Sequence, residues 1–296
     1  MTPEPSETTT PEPSPPPLPP AYEPTGEEVY PNAKRLAAAV AHALTNYEVD
    51  TAPEELVSGV TADPDRQEHL ATMSEPLLRP GAWSRGTVIY PQMGGIHADR
   101  VSVMVVVRQQ IGTGSEVTET FTRTIDVRLR LRDDVWIFDE LASIGGSRPA
   151  TPTDLAAPAR QVLDNPRIGL PDSARWDIER GEVEPALLEL MAALAERTPY
   201  EVVVLSSGHP FEVFGTDRQS NHTKGRAVDI YLIDGVRLID ARADDSQARA
   251  LVEWLYTRPE VTEIGSPWAL DGYGGRSFTD VVHQDHIHVG VRANPR

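Results

Sequence analysis

The stretch SNHTKGRAVDI, residues 220–230, sets a serine, a histidine and an aspartate around Gly225 and Ala227, and its reading decides how the second half of the chain folds. Ala227 to Ile233 is a short apolar run of strand character. Asp234-Gly235 after it is a favoured hairpin dipeptide that turns the chain into Val236–Ile239. Asp229 therefore lies inside a strand, on one face with Ala227 and Tyr231, while His222 sits in the loop ahead of it. Gly225 lets the backbone turn between the two. A second run, HQDHIHVGV at 283–291, carries the last strand, from His286 to Val291. There His286 and His288 share one face, and Ile287 and Val289 pack behind. If these two strands are neighbours, Asp229 and the histidine pair converge and His222 enters from its loop.

Outward from this core, Glu184-Pro185 opens an amphipathic helix with Leu187, Leu190, Met191 and Leu194 on one stripe. Residues 201–205 read as a buried strand, and 244–257 as a helix with Leu251, Val252, Leu255 and Tyr256 inward. Helices and strands mix without a regular βαβ repeat, which makes the fold class α+β. Upstream, Gly145 to Pro152 carries the glycine, serine and proline signals of a connection, and residues 146–153 are expected as a linker between two domains.

The first domain, 30–145, starts with a helix that Asn32 can cap, bearing Leu36, Val40, Leu44 and Tyr47 at helical spacing. Thr51 to Glu54 reads as a capping box and Asp63-Pro64 as another helix start. The period then changes to two. Val101–Val107 is β-branched, and from Val117 onward Phe121, Ile125, Val127, Leu129 and Leu131 alternate with Arg128, Arg130 and Arg132. Asp133-Asp134 turns the chain into Val135–Phe138. This order of helices and curved antiparallel sheet resembles the cone-shaped nuclear transport factor two-like and cystatin-like folds. Its histidines, His42, His69 and His97, are scattered and take surface or packing roles.

Residues 1–29 are rich in Pro, Glu, Thr and Ser and hold no basic residue, so they are expected to form a disordered spacer. A net charge of −18 argues against nucleic acid as a partner. No apolar stretch reaches the ~18 residues of a membrane helix, and the N-terminus lacks the basic and apolar regions of a secretory signal. With no cysteine, disulfides and thiolate metal sites are excluded, and a transition metal must be held by His, Asp or Glu.

Two histidines and an aspartate with an open fourth position form a catalytic zinc arrangement rather than a closed structural one. Such a site can bring a bound water's pKa to about 7, and a further histidine can carry the proton. Each half of the pattern has a plain reading by itself. The histidine pair could flank a solvated sheet face, and Ser220 could simply cap a turn. Ser220-x-His222-x-x-Gly225-x-Ala227-x-Asp229 followed by His286-x-His288 resembles the LAS-type zinc metallopeptidases, a group spanning lysostaphin, D-Ala-D-Ala carboxypeptidases, murein endopeptidases and the hedgehog signalling domain. The resemblance covers about residues 175–296. It implies that His222, Asp229 and His288 bind zinc and that His286 stands near the catalytic water. Ser220, His209, His283, Asp285 and Arg218 then become candidates for steadying the imidazoles or the substrate. The Gly-Tyr-Arg stretch found in many members is replaced by Ser207-Gly208-His209-Pro210, which leaves Arg218 and Arg226 as candidate carboxylate partners.

What the resemblance implies is a zinc peptidase or carboxypeptidase acting on peptidoglycan stem peptides in an extracytoplasmic, cell-wall setting. Two alternatives stay open. One is a non-catalytic, zinc-stabilised binding module, since the hedgehog domain keeps such a metal in a binding role. The other is a cytoplasmic amidase or dipeptidase, with which the N-terminus agrees.

Overall fold

The structure, a computed structural model, describes residues 14–150, 155–272 and 274–293. Three helices come first: α1 (Pro31–Thr45), α2 (Pro53–Ser58) and α3 (Pro64–Ser74). Each begins on a proline, whose fixed φ and missing N–H suit the first helical position. Only α3 is capped as expected, Asp63 accepting from the Asp65 amide. Helix α1 starts one residue before Asn32, from Tyr30 in a left-handed conformation, and Asn32 receives Arg35 instead. Thr51 accepts from the Glu48 amide, and the expected capping box does not form.

A four-stranded antiparallel sheet follows in chain order: β1 (Trp83–His97), β2 (Arg100–Thr113), β3 (Glu116–Arg132) and β4 (Val135–Ser143). Alternation along β2 sorts its side chains. Val101, Val103, Val105 and Val107 meet Ala37, Val40 and Leu44 of α1, while Met104 and Val106 point the other way. Fully burying one such side chain contributes about 1.5–3 kcal/mol, so this interface anchors the first half.

The second half begins with α4 (Ala157–Leu163), β5 (Ile168–Gly169), α5 (Asp172–Glu179) and α6 (Pro185–Arg197). Then come β6 (Tyr200–Val204), β7 (Ala227–Ile233), β8 (Val236–Arg237), α7 (Gln247–Tyr256), β9 (Val261–Gly265), β10 (Ser277–Phe278) and β11 (Ile287–Val291). These strands make one mixed sheet in the order β10-β9-β11-β7-β6-β5, with β8 beside β7. The expected neighbours, β7 and β11, do pair antiparallel. One face of this sheet, with Val202, Val228, Ile230, Ile287 and Val289, packs on α6 and α7.

The other face meets the first sheet. Tyr90, Met104 and Val106 pack against Val203, Val204 and Tyr231, and the rings of Tyr90 and Tyr231 stack at 5.0 Å. The layers thus run helices, first sheet, second sheet, helices, and the architecture is mixed α and β.

The expectation for the N-terminal segment also changes. Residues 14–29 are not a free spacer: Arg85 Nε donates to Pro16 O, His42 meets Pro19 O, Tyr22 packs on the first core, and Glu28 is buried. Backbone carbonyls that proline leaves free of helix or sheet are taken up by side chains of α1 and β1. Residues 1–13 lie outside the described residues. Of the expected linker, residues 146–150 are described, with Arg123 donating to Gly146 O and Arg180 to Ser147 O.

Candidate metal centre

Asp229 sits at the middle of β7, with Val204 of β6 as its partner on one side and His288 of β11 on the other. His222 is delivered by a tight turn. Ser220 Oγ accepts from the His222 amide at 3.2 Å, and the Gly225 amide donates to His222 O at 2.8 Å. Gly225 has φ +69°, and a Cβ there would come within 2.0 Å of Glu182 O, so only glycine fits. Ser220 thus keeps its turn-capping role and by it aims the histidine.

Three atoms converge. His222 Nε2 lies 3.1 Å from Asp229 Oδ1 and 3.0 Å from His288 Nδ1, and the last two are 2.9 Å apart. Ligands about 2.0–2.2 Å from a tetrahedral ion stand roughly 3.3–3.6 Å from one another, so little adjustment is needed. His222, Asp229 and His288 form a group that could hold a metal ion.

The far side of each imidazole fixes its tautomer. His222 Nδ1 meets Leu205 O at 2.7 Å, a carbonyl that can only accept, so Nδ1 carries the proton and Nε2 keeps its lone pair. His288 Nε2 meets Glu263 Oε1 at 3.0 Å, which turns the Nδ1 lone pair inward in the neutral ring.

The charges favour a cation. Burial would raise Asp229, but His222, His286 and its hydrogen bonds outweigh burial and hold the carboxyl well below its ordinary value. Burial likewise opposes ionisation of Glu263, yet its bond to His288 takes it down to about 2. Burial would lower His288, but Asp229 and Glu263 together push it up to about 10.

His286 is buried and stays off the three-atom cluster. Its Nδ1 bonds Asp285 Oδ1 at 2.7 Å, and its Nε2 faces the centre, 3.7 Å from Asp229 Oδ2. It precedes β11, which starts at Ile287 rather than at His286. His283 touches none of the three converging atoms. It lines the cavity with its Nδ1 on Asp280 at 2.7 Å, its ring centroid 5.0 Å from that of His286. Burial, the largest influence, lowers its pKa. His209 stacks on His222 at 4.1 Å, and burial followed by the charge of His222 pushes it well below its ordinary value. Arg218 stands exposed on the cavity wall, whereas Arg226 is turned toward Glu184 and does not line it.

The cavity over the cluster has a volume of about 240 Å³ and shares Val213 and Phe214 with an adjoining groove of about 800 Å³. Glu263, Asp280, Gln92 and Lys34 were not among the sequence candidates, and all four hold a site group. No family model, curated protein or solved structure matches the chain.

Proposed function

We propose that the chain is a zinc-dependent peptidase that hydrolyses amide bonds in peptidoglycan stem peptides, as a D-Ala-type carboxypeptidase or endopeptidase outside the cytoplasm. The observation that carries this reading is the convergence of His222, Asp229 and His288 beside a histidine that is held separately, by Asp285. The likeness of the Ser220-to-Asp229 and His286-x-His288 patterns to LAS-type peptidases supports the substrate class and a two-domain reading, 30–145 and 154–296.

Zinc held by these three residues would acidify a bound water and polarise a scissile carbonyl. The protein's own groups then have distinct work. Glu263 and Leu205 O keep both ligating imidazoles in the right tautomer. His286, its Nδ1–H fixed on Asp285, presents Nε2 to take up a proton during attack and return it to the leaving amine. A purely structural site has four protein ligands as a rule and no use for an unligated imidazole alongside. The adjoining groove gives room for an extended peptide.

Elemental analysis of the purified protein, and mass spectrometry of defined muropeptides digested with and without chelator, test the proposal. About one zinc per chain and chelator-sensitive cleavage are expected. A protein that carries no zinc and cleaves nothing overturns it.

A further inference from the structure

The first sheet supplies none of the three candidate ligands, yet it reaches two of the carboxylates at the centre, Asp229 and Asp285. Gln92 of β1, fully buried, donates from Nε2 to Asp229 Oδ2 at 2.6 Å. Only Oδ1 of that carboxylate faces the two histidines, so Gln92 occupies the oxygen that a metal would leave free. One residue on, the Met93 amide donates to Asp285 Oδ2 at 3.0 Å. The Nζ of Lys34, from the first turn of α1, lies 2.5 Å from that same oxygen. Asp285 then spends its other oxygen on His286. Lys34 is fully buried, also bonds Glu28, and is one of only two lysines in the chain.

Two carboxylates are thus divided the same way. One oxygen serves the centre, and the other is taken by a donor from the first half of the chain. A carboxylate bonded through one oxygen alone can rotate about its last bond. A second, buried donor on the other oxygen removes that freedom and fixes which lone pair points where. The oxygen of the Gln92 amide has no hydrogen-bond partner among the described residues, and the carboxylate accepts only, so the amide's orientation is set by Asp229.

We infer that Gln92 and Lys34 are positioning residues of the metal centre: Gln92 sets the ligand Asp229, and Lys34 sets His286 through Asp285. The first sheet is then part of the catalytic centre rather than an attached module. The inference rests on the proposed metal-dependent reading and is tested by readouts that need no substrate.

Zinc affinity of the full chain is measured by competition with a chromophoric chelator, beside thermal unfolding of the metal-free protein. Gln92→Met keeps the volume and removes the donor. It is expected to weaken zinc binding by about 10- to 100-fold, the usual cost of losing a group that holds a metal ligand. If Gln92→Met does not fold, Gln92→Leu, which likewise removes the donor and adds no charge, serves the same comparison. For Lys34, the double substitution Lys34→Met with Glu28→Gln removes the lysine together with its Glu28 partner and leaves Asp285 in place. It is expected to keep zinc affinity within about threefold and to lose the slowly exchanging Nδ1–H proton signal of His286 in NMR. With a muropeptide substrate it should lower kcat at unchanged KM. A lowered melting temperature with unchanged zinc affinity in the Gln92 variants and an intact His286 signal in the double variant would make these contacts purely structural and overturn the inference. Wild-type protein that fails to bind zinc would instead overturn the proposed function, and the inference with it.

Discussion

The seam between the two sheets changes character within one step of two residues on each side. At Tyr90 and Tyr231 it is apolar, the rings stacked and buried among Met104, Val106, Val203 and Val204. Two positions along the same faces stand Gln92 and Asp229, and there the seam is polar and charged. One interface therefore does two jobs. The apolar stretch fixes the distance between sheets, and the polar stretch uses that distance to hold Asp229, one of the three residues that could bind a metal. The comparison teaches that losses should separate. Truncation at the tyrosines should cost stability, and truncation two residues away should cost chemistry.

The largest effects lie at the polar end. On the proposed reading, His288→Ala leaves two protein ligands and should lose both zinc and turnover. His286→Ala should keep about one zinc per chain and lower turnover by roughly 10²- to 10⁴-fold, the span of a lost general acid–base group. Metal content and muropeptide cleavage measured on both variants separate the two roles. Zinc loss in His286→Ala would mean that the wrong histidine carries the ligand.

At the apolar end, Tyr231→Ala should destabilise by about 3–5 kcal/mol, the range for removing a buried aromatic. Zinc affinity in the variant that still folds should change by less than a Gln92 substitution changes it. Denaturant unfolding and chelator competition on one preparation give both numbers. A variant that loses zinc affinity as Gln92→Met does would show that the seam is not divided.

How much of this was legible in the sequence follows from range. His222, Asp229, His286 and His288 could be placed because strand parity acts over two residues and their two strands are bounded by clear turns. Glu263 could not, because its reach to His288 depends on β9 lying beside β11, and nothing local in residues 261–265 says so. Strand β1 was missed altogether. Pro91 and three glycines interrupt its alternation, and two bulges shift its phase, one of which brings Tyr90 and Gln92 onto the second sheet's side. Lys34 carried a faint signal as a lysine in an arginine-rich chain, but composition cannot say that it is buried. The segment 14–29 misled for a different reason. Its composition cannot build a core, yet it can lie on one whose side chains claim its carbonyls.

That segment gives a smaller test. Deleting residues 1–29 removes Glu28 and leaves buried Lys34 with Asp285 as its remaining carboxylate. Losing one partner of a buried ion pair costs about 3–5 kcal/mol when the charge is stranded, and less here because Asp285 remains. A melting temperature lower by several degrees is expected in a thermal scan. An unchanged one would return the segment to the status of a spacer.

The smallest effect per step is a pH slope, which the metal-free protein shows and bound zinc would cancel. In the folded, metal-free chain Asp229 and Glu263 outweigh burial and push His288 up to about 10, above the ~6.5 of a free histidine. Its contribution to stability is therefore complete below about pH 6.5 and is lost as pH rises through about 10. Across that window the metal-free protein should become progressively less stable on this account. Asp229 and Glu263 are both held below their ordinary values, so they are ionised throughout the window and add no slope there. On the proposed reading, zinc would displace the His288 proton to reach Nδ1, so its affinity should rise over the same window, by up to about tenfold per unit. Melting temperatures recorded from pH 6.5 to 9.5 should thus diverge, the metal-free curve falling while the zinc-induced increment grows. Parallel curves would mean that zinc binding releases no proton from His288, and that another atom is the ligand.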